Sequence, residues 1–156
     1  MQPAHRSDLT GCYHRMAGRW STRLIAARKR LKLRIHKNSL RLRLGPSELE
    51  RLLDTGRIEE SIRFAPEETA RLTYALELAP SGQDLCLRYR RQDVTVLLAR
   101  DEARRWAEGE QVGISGEVDL GQVKLELLVE KDFACVDRKD ARNQDTFPNP
   151  KAGETC

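Results

Sequence analysis

Aromatic side chains are scarce in this sequence: three Phe, three Tyr and two Trp are only 5% of 156 residues. A core with so few rings must rest on aliphatic side chains, and a surface that reads single strands by base stacking has little to stack with. Cysteines are few and scattered at Cys12, Cys86, Cys135 and Cys156. They form no disulfide framework in a chain of this length, and no CxxC pair announces zinc. No apolar run approaches the roughly 20 residues a bilayer helix requires. A secretory signal is also missing, because Leu24 to Ala27 is interrupted by Arg28-Lys29-Arg30. A soluble protein in the cytoplasm, without membrane contact, is the expectation. Catalytic motifs are equally absent. There is no Gly-rich phosphate loop, HExxH or nucleophile elbow, and the histidines His5, His14 and His36 all lie in the N-terminal part. Glu59-Glu60 and Glu67-Glu68 are adjacent pairs whose side chains diverge in an extended chain, so they make poor acid/base partners. No enzyme is expected.

What is abundant is alternation. Leu31, Leu33 and Ile35 share one face of a strand while Lys32, Arg34 and His36 share the other. A turn at Lys37-Asn38 leads back through Leu40, Leu42 and Leu44, with Arg41 and Arg43 outward. Gly45-Pro46 ends that strand. Ser47 and Glu50 read as a capping box for a helix from Glu48 to Thr55, stopped by Gly56. Ile58 to Phe64 and the alternating Leu72, Tyr74, Leu76 and Leu78 read as two further strands.

The same order then returns. An offset of 54 aligns Leu31–Ile58 with Leu85–Val112 without a gap; Leu31/Leu85, Leu33/Leu87, Arg34/Arg88, Leu44/Leu98, Glu48/Glu102 and Arg51/Arg105 are identical. The second unit gives strands at Leu85–Arg90 and Val94–Leu98, a helix capped by Asp101, and strands at Gln111–Val118 and Val123–Val129. The expected fold is α+β: a tandem duplication of a strand-strand-helix-strand-strand unit. It would form a mostly antiparallel sheet or partly closed barrel with two helices, followed by an irregular C-terminal tail. Neither unit would bury its sheet face well alone, so the two should share a core. The domain reading is a basic, poorly structured leader at 1–30, a duplicated body at 31–132 (units 31–78 and 85–130), and a cysteine-containing tail at 133–156.

Charge is divided along the chain. Residues 1–43 hold 12 Lys/Arg against the single Asp8, leaving 16 bases against 23 acids in the rest. Such an arm suits nucleic acid or its own acidic body. On the strands, Lys32, Arg34, Arg41 and Arg43, echoed by Arg88 and Arg90, would place guanidinium groups on a sheet surface and are the candidate phosphate-binding set. The bland alternative is a solvated face paired with Glu59, Glu77 and Glu126. Cys135 and Cys156 are the candidate thiol or metal pair, for zinc or copper, with any further ligands coming from Cys86, His36 or Asp132. Phe147 is an odd residue to leave in water and is read as the tail's anchor.

The pieces KLRIHKNSLRLRL with SELERL, ELLVEKDFACVDR, and DTFPNP with a last-position cysteine resemble a family of small uncharacterised bacterial proteins that begin near the first strand. The resemblance covers about Leu31 to Cys156, implies no activity, and leaves the leader of about 30 residues as a departure. The functional expectation is a small non-enzymatic binding or accessory protein with no cofactor, taking a small ligand or a protein partner. The alternatives are a thiolate metal-binding or redox protein and a nucleic-acid binder.

Overall fold

The computed structural model describes residues 31–135 and 145–150; leader residues 1–30 and Cys156 lie outside them. Within this span the alternating segments form eight strands and two helices. The first half contains β1 (Lys32–His36), β2 (Ser39–Leu44), α1 (Pro46–Thr55), β3 (Arg57–Arg63) and β4 (Arg71–Ala79). The second contains β5 (Cys86–Arg90), β6 (Asp93–Ala99), α2 (Arg100–Glu108), β7 (Gly113–Asp119) and β8 (Lys124–Lys131). The tight turns β1–β2 and β5–β6 place Lys37 (φ 50°) and Arg91 (φ 54°) at corresponding left-handed positions.

The four hairpins are exchanged between the halves. One sheet, A, has the order β1-β2-β8-β7, and the other, B, has the order β3-β4-β6-β5. Each sheet therefore takes one hairpin from each half, joined by a parallel pair at its centre. Leu40 stands beside Leu127 and Leu42 beside Val129 across β2–β8, while Val94 stands beside Tyr74 and Val96 beside Leu76 across β4–β6. The remaining pairs are antiparallel. The expectation of a partly closed barrel is corrected to two separate open, mixed sheets. Alternation identifies which residues face inward, but it does not say which strand edges meet.

One aliphatic cluster lies between the layers. Leu31, Leu42, Leu44, Leu76, Val96, Leu98, Leu127 and Val129 are each at most 1–2% exposed, and the helices add Leu49, Leu52, Ala103 and Trp106. Deleting a buried leucine from such a cluster costs about 2–5 kcal/mol. Tyr74 ties sheet B to the start of β1 by donating its hydroxyl to the Leu31 carbonyl at 2.9 Å.

Two local readings shift. Helix α1 begins earlier than read: Pro46 opens it, Gly45 is the N-cap residue, and the Glu48 carboxylate accepts the Gly45 N–H at 3.1 Å. Glu48 rather than Glu50 thus reaches back to the helix start, but Gly45 has no side chain to return the bond and accepts only the Leu49 N–H through its carbonyl, while Ser47 is engaged elsewhere. Gly56 closes the helix at φ 78°, donating to the Leu52 carbonyl at 2.8 Å. In α2 the N-cap position is Ala99, so Asp101 stands in the first turn, where it accepts from Arg105 at 3.0 Å. The ungapped alignment also slips. Ile58 pairs with Leu76 and Ile114 with Val129, which makes Ile114, not Val112, the counterpart of Ile58. The α2–β7 connection is longer than the α1–β3 connection, and Val112 is 50% exposed as a result.

Candidate functional site

The cross-strand register fixes what the outer face of sheet A displays. Lys32 stands opposite Arg43 and Arg34 opposite Arg41, so the β1–β2 half is basic. On the β7–β8 half, Glu117 stands opposite Glu126 and Gly113 opposite Glu130. The bases are partly committed to these acids. Lys32 Nζ lies 2.6 Å from Asp132, Arg43 bonds Glu130, and Arg41 reaches the same carboxylate at 3.6 Å. Arg34 has no ion pair among the described residues. Arg88 and Arg90 stand on the other sheet. Arg88 donates to Glu77 at 2.8 Å, and Arg57 bonds the same carboxylate. These contacts, led by the Arg88 hydrogen bond, hold the Glu77 carboxyl below its usual range. The six bases of the candidate phosphate set are thus divided between two sheets, and most belong to ion pairs.

A trough of about 300 Å³ runs along the β2–β8 seam, lined by Ser39, Arg41, Ser115, Glu117, Glu126 and Leu128, among others. It exists because small side chains on β2 and β7 flank the seam while longer ones rise around them. Ser39 donates to the His36 carbonyl at 2.7 Å, which fixes the adjoining turn. Lys124 pairs with Glu117 at 2.8 Å, a contact that raises the lysine pKa, and Glu126 has no ion pair among the described residues. A guanidinium on one side thus faces two carboxylates on the other. A second hollow, of about 430 Å³, lies near the other side of β7, between Gly82–Leu85, the α2 face bearing Asp101, Glu102 and Arg105, and the β7 residues Ile114–Glu117. Sequence reading missed Ser39, Ser115 and Glu117. Nothing local marks them, because their importance follows from the parallel seam.

The segment 145–150 returns to the body at the start of α1. Asp145 accepts the Ser47 N–H at 3.0 Å and also the Ser47 hydroxyl, supplying the side-chain cap that Gly45 cannot. The approach requires glycine at position 45. A Cβ there would overlap the Asp145 carbonyl oxygen and lie 2.8 Å from its Oδ2. Phe147 forms a parallel bridge with Phe133: Phe147 N–H donates to the Asp132 carbonyl at 2.9 Å, and Ala134 N–H donates to the Phe147 carbonyl at 3.0 Å. Its half-buried ring lies 6.1 Å from that of Phe133 and packs against the core. Lys131 Nζ sits over the Phe147 and Trp106 rings at 5.4 and 5.9 Å and donates to the Gly109 carbonyl at 2.6 Å. Burial lowers its pKa.

Beneath this clasp Glu48 is 2% exposed, and its Oε1 has no hydrogen-bond partner. Burial pushes its pKa up to about 7; the Gly45 N–H and Arg51 oppose the rise, while Asp145 and Glu60 add to it. Cys135 is exposed, Cys86 is half-buried and accepts from the Gln83 amide at 3.2 Å, and Cys156 lies outside the described residues. Among the described residues, no three His, Cys, Asp or Glu side chains gather as a metal site, and no helix is long and apolar enough to cross a membrane.

No curated protein matches the chain. A family model does, over residues 31–151, and by that match the chain belongs to DUF7009, a family of unknown function.

Proposed function

We propose that the protein is a non-enzymatic, cytoplasmic binding or accessory protein, internally repeated, whose ligand lies in the trough along the β2–β8 seam. The observation that carries this reading is that Arg41, Glu117 and Glu126 line one hollow together with Ser39 and Ser115. Its volume of about 300 Å³ is at the lower end for ligand sites, of about 300–1,000 Å³. The charges suit a bipolar ligand with an anionic group toward Arg41 and a cationic group toward Glu126. The seam also gives rigidity, because one wall comes from each half of the chain. Phosphate contact on this face is the weaker reading, since Lys32 and Arg43 would first have to leave Asp132 and Glu130.

The test is an amide NMR titration of the full chain with a lysine-containing dipeptide, which carries both charges. Shifts should concentrate at Ser39, Arg41, Ser115, Glu117 and Glu126. Ser115→Trp, an exposed change that fills the trough, should abolish them. Shifts elsewhere, or shifts that survive the tryptophan, would contradict the reading.

A further inference from the structure

Strand β7 is an edge of sheet A, and the hydrogen bonds at its ends reveal which of its backbone groups are unused. Lys131 N–H donates to the Val112 carbonyl, and Leu120 N–H to the Val123 carbonyl, both at 2.9 Å. In an antiparallel ladder such pairs recur at every second residue. Ile114, Gly116 and Val118 therefore turn their N–H and C=O groups to β8, and Gly113, Ser115, Glu117 and Asp119 turn theirs outward. The Gly113 carbonyl is taken by the Gln111 side chain at 2.8 Å. Ser115 and Glu117 are both exposed, and among the described residues no backbone group outside sheet A bonds theirs.

Natural edges are usually blunted by lysine, proline or bulges. This one carries Gly113, Ser115 and Gly116, with acids at Glu117 and Asp119. The symmetry-related edge β3 carries Arg57, Glu59 and Arg63 instead, with Arg57 tied to Glu59 and Glu77. The seam trough and the second hollow also share the same three β7 residues, Ser115, Gly116 and Glu117. Successive side chains of an added strand point to opposite faces. One set would lie toward the trough, near Glu117 and Glu126. The other would lie toward the second hollow, near Asp84, Asp101 and Glu102. Carboxylates outnumber bases in both directions.

We infer that the open edge of β7 takes up an extended, basic peptide segment of a partner protein as a fifth strand of sheet A. This rests on the trough reading and deepens it, because backbone pairing supplies affinity while the two hollows select alternate side chains. The charge complementarity argues for lysine- or arginine-bearing segments over acidic ones.

The full chain should be titrated with a peptide of alternating lysine and valine, matched to the seven residues of β7. Two forms should be tested beside it, one N-methylated on every lysine and one on every valine. Residues that bond β7 share one face of the added strand, so one methylated form should lose binding by about tenfold or more while the other keeps it. The Ser115 and Glu117 amides should become protected from exchange, while Gly116, already paired to β8, should not change. Ser115→Pro removes an outward N–H that β8 does not use, and it should weaken binding by about tenfold. Glu117→Lys should do so through charge. Equal binding by both methylated forms, or tighter binding of a glutamate–valine peptide, would overturn the proposal. So would protection of the two amides in the peptide-free chain accompanied by dimerisation, which would give the edge to a second copy. Dipeptide shifts at Ser39 and Arg41 without peptide-induced protection at Ser115 and Glu117 would reject the added strand while leaving the trough reading intact.

Discussion

Replacing Glu48 by glutamine should remove a pH dependence that runs opposite to ordinary acid denaturation. Burial raises the Glu48 pKa from 4.5 to about 7, so the folded state holds this proton more tightly than the unfolded state. The associated stability is fully present below pH 4.5, falls as pH rises toward 7, and is gone above it. At about 1.36 kcal/mol per pKa unit the loss is on the order of 2–3 kcal/mol. For a domain of this size that is a melting shift of about 4–9 °C. The substituted amide would keep an acceptor for the Gly45 N–H without the titration. The wild type and the Glu48→Gln variant should be unfolded thermally and with urea between pH 4.5 and 8. The variant should gain on the wild type by about 2 kcal/mol across that window. Carboxylates with lowered pKa, such as Glu77, lose stability as pH falls, but they do so equally in both proteins, so the difference isolates Glu48. Parallel pH profiles would refute the argument that burial, rather than surface charge, governs this group.

Other outcomes follow from the clasp and the core. Asp145→Ala removes the side-chain cap from α1 and should cost about 1 kcal/mol in chemical denaturation. Gly45→Ala should cost more, because its Cβ would displace the Asp145 backbone, and combining the two changes should give less than the sum of their effects. Leu52→Ala, at a site with 0% exposure, should cost about 2–5 kcal/mol by urea titration. If the arginines of sheet A serve their carboxylate partners, retention on an oligonucleotide column should not respond to Arg41→Gln and Arg43→Gln; loss of retention with a flattened salt dependence would instead favour phosphate contact.

Much of the fold was legible because burial imposes a period. Leu40, Leu42 and Leu44 announce β2, and Leu49, Leu52 and Gly56 announce α1 and its end. The hairpin exchange was not legible, since an inward-facing leucine is the same residue whichever neighbour it meets. The trough was hidden for that reason: Ser39 and Ser115 stand 76 positions apart, and only the β2–β8–β7 order brings them to one hollow. Local rules also lost to distant partners. Ser47 looks like an N-cap, yet Asp145, 98 residues away, takes its N–H and hydroxyl and leaves the cap position to Gly45. The arginines read as one face because their alternation is alike, but Arg34 and Arg88 belong to different sheets.

The central claim is that the binding surface lies on a seam held rigid by both halves of the chain, and native-state hydrogen exchange tests it most directly. Because one aliphatic cluster is shared by both sheets, opening either sheet exposes the buried face of the other. The slowest amides of the β2–β8 seam should therefore exchange with the same free energy as those of the β4–β6 seam, equal to that of global unfolding. A β2–β8 seam that opens at distinctly lower free energy than β4–β6 would contradict the account, because the trough would then lie on a separable layer rather than a fixed one.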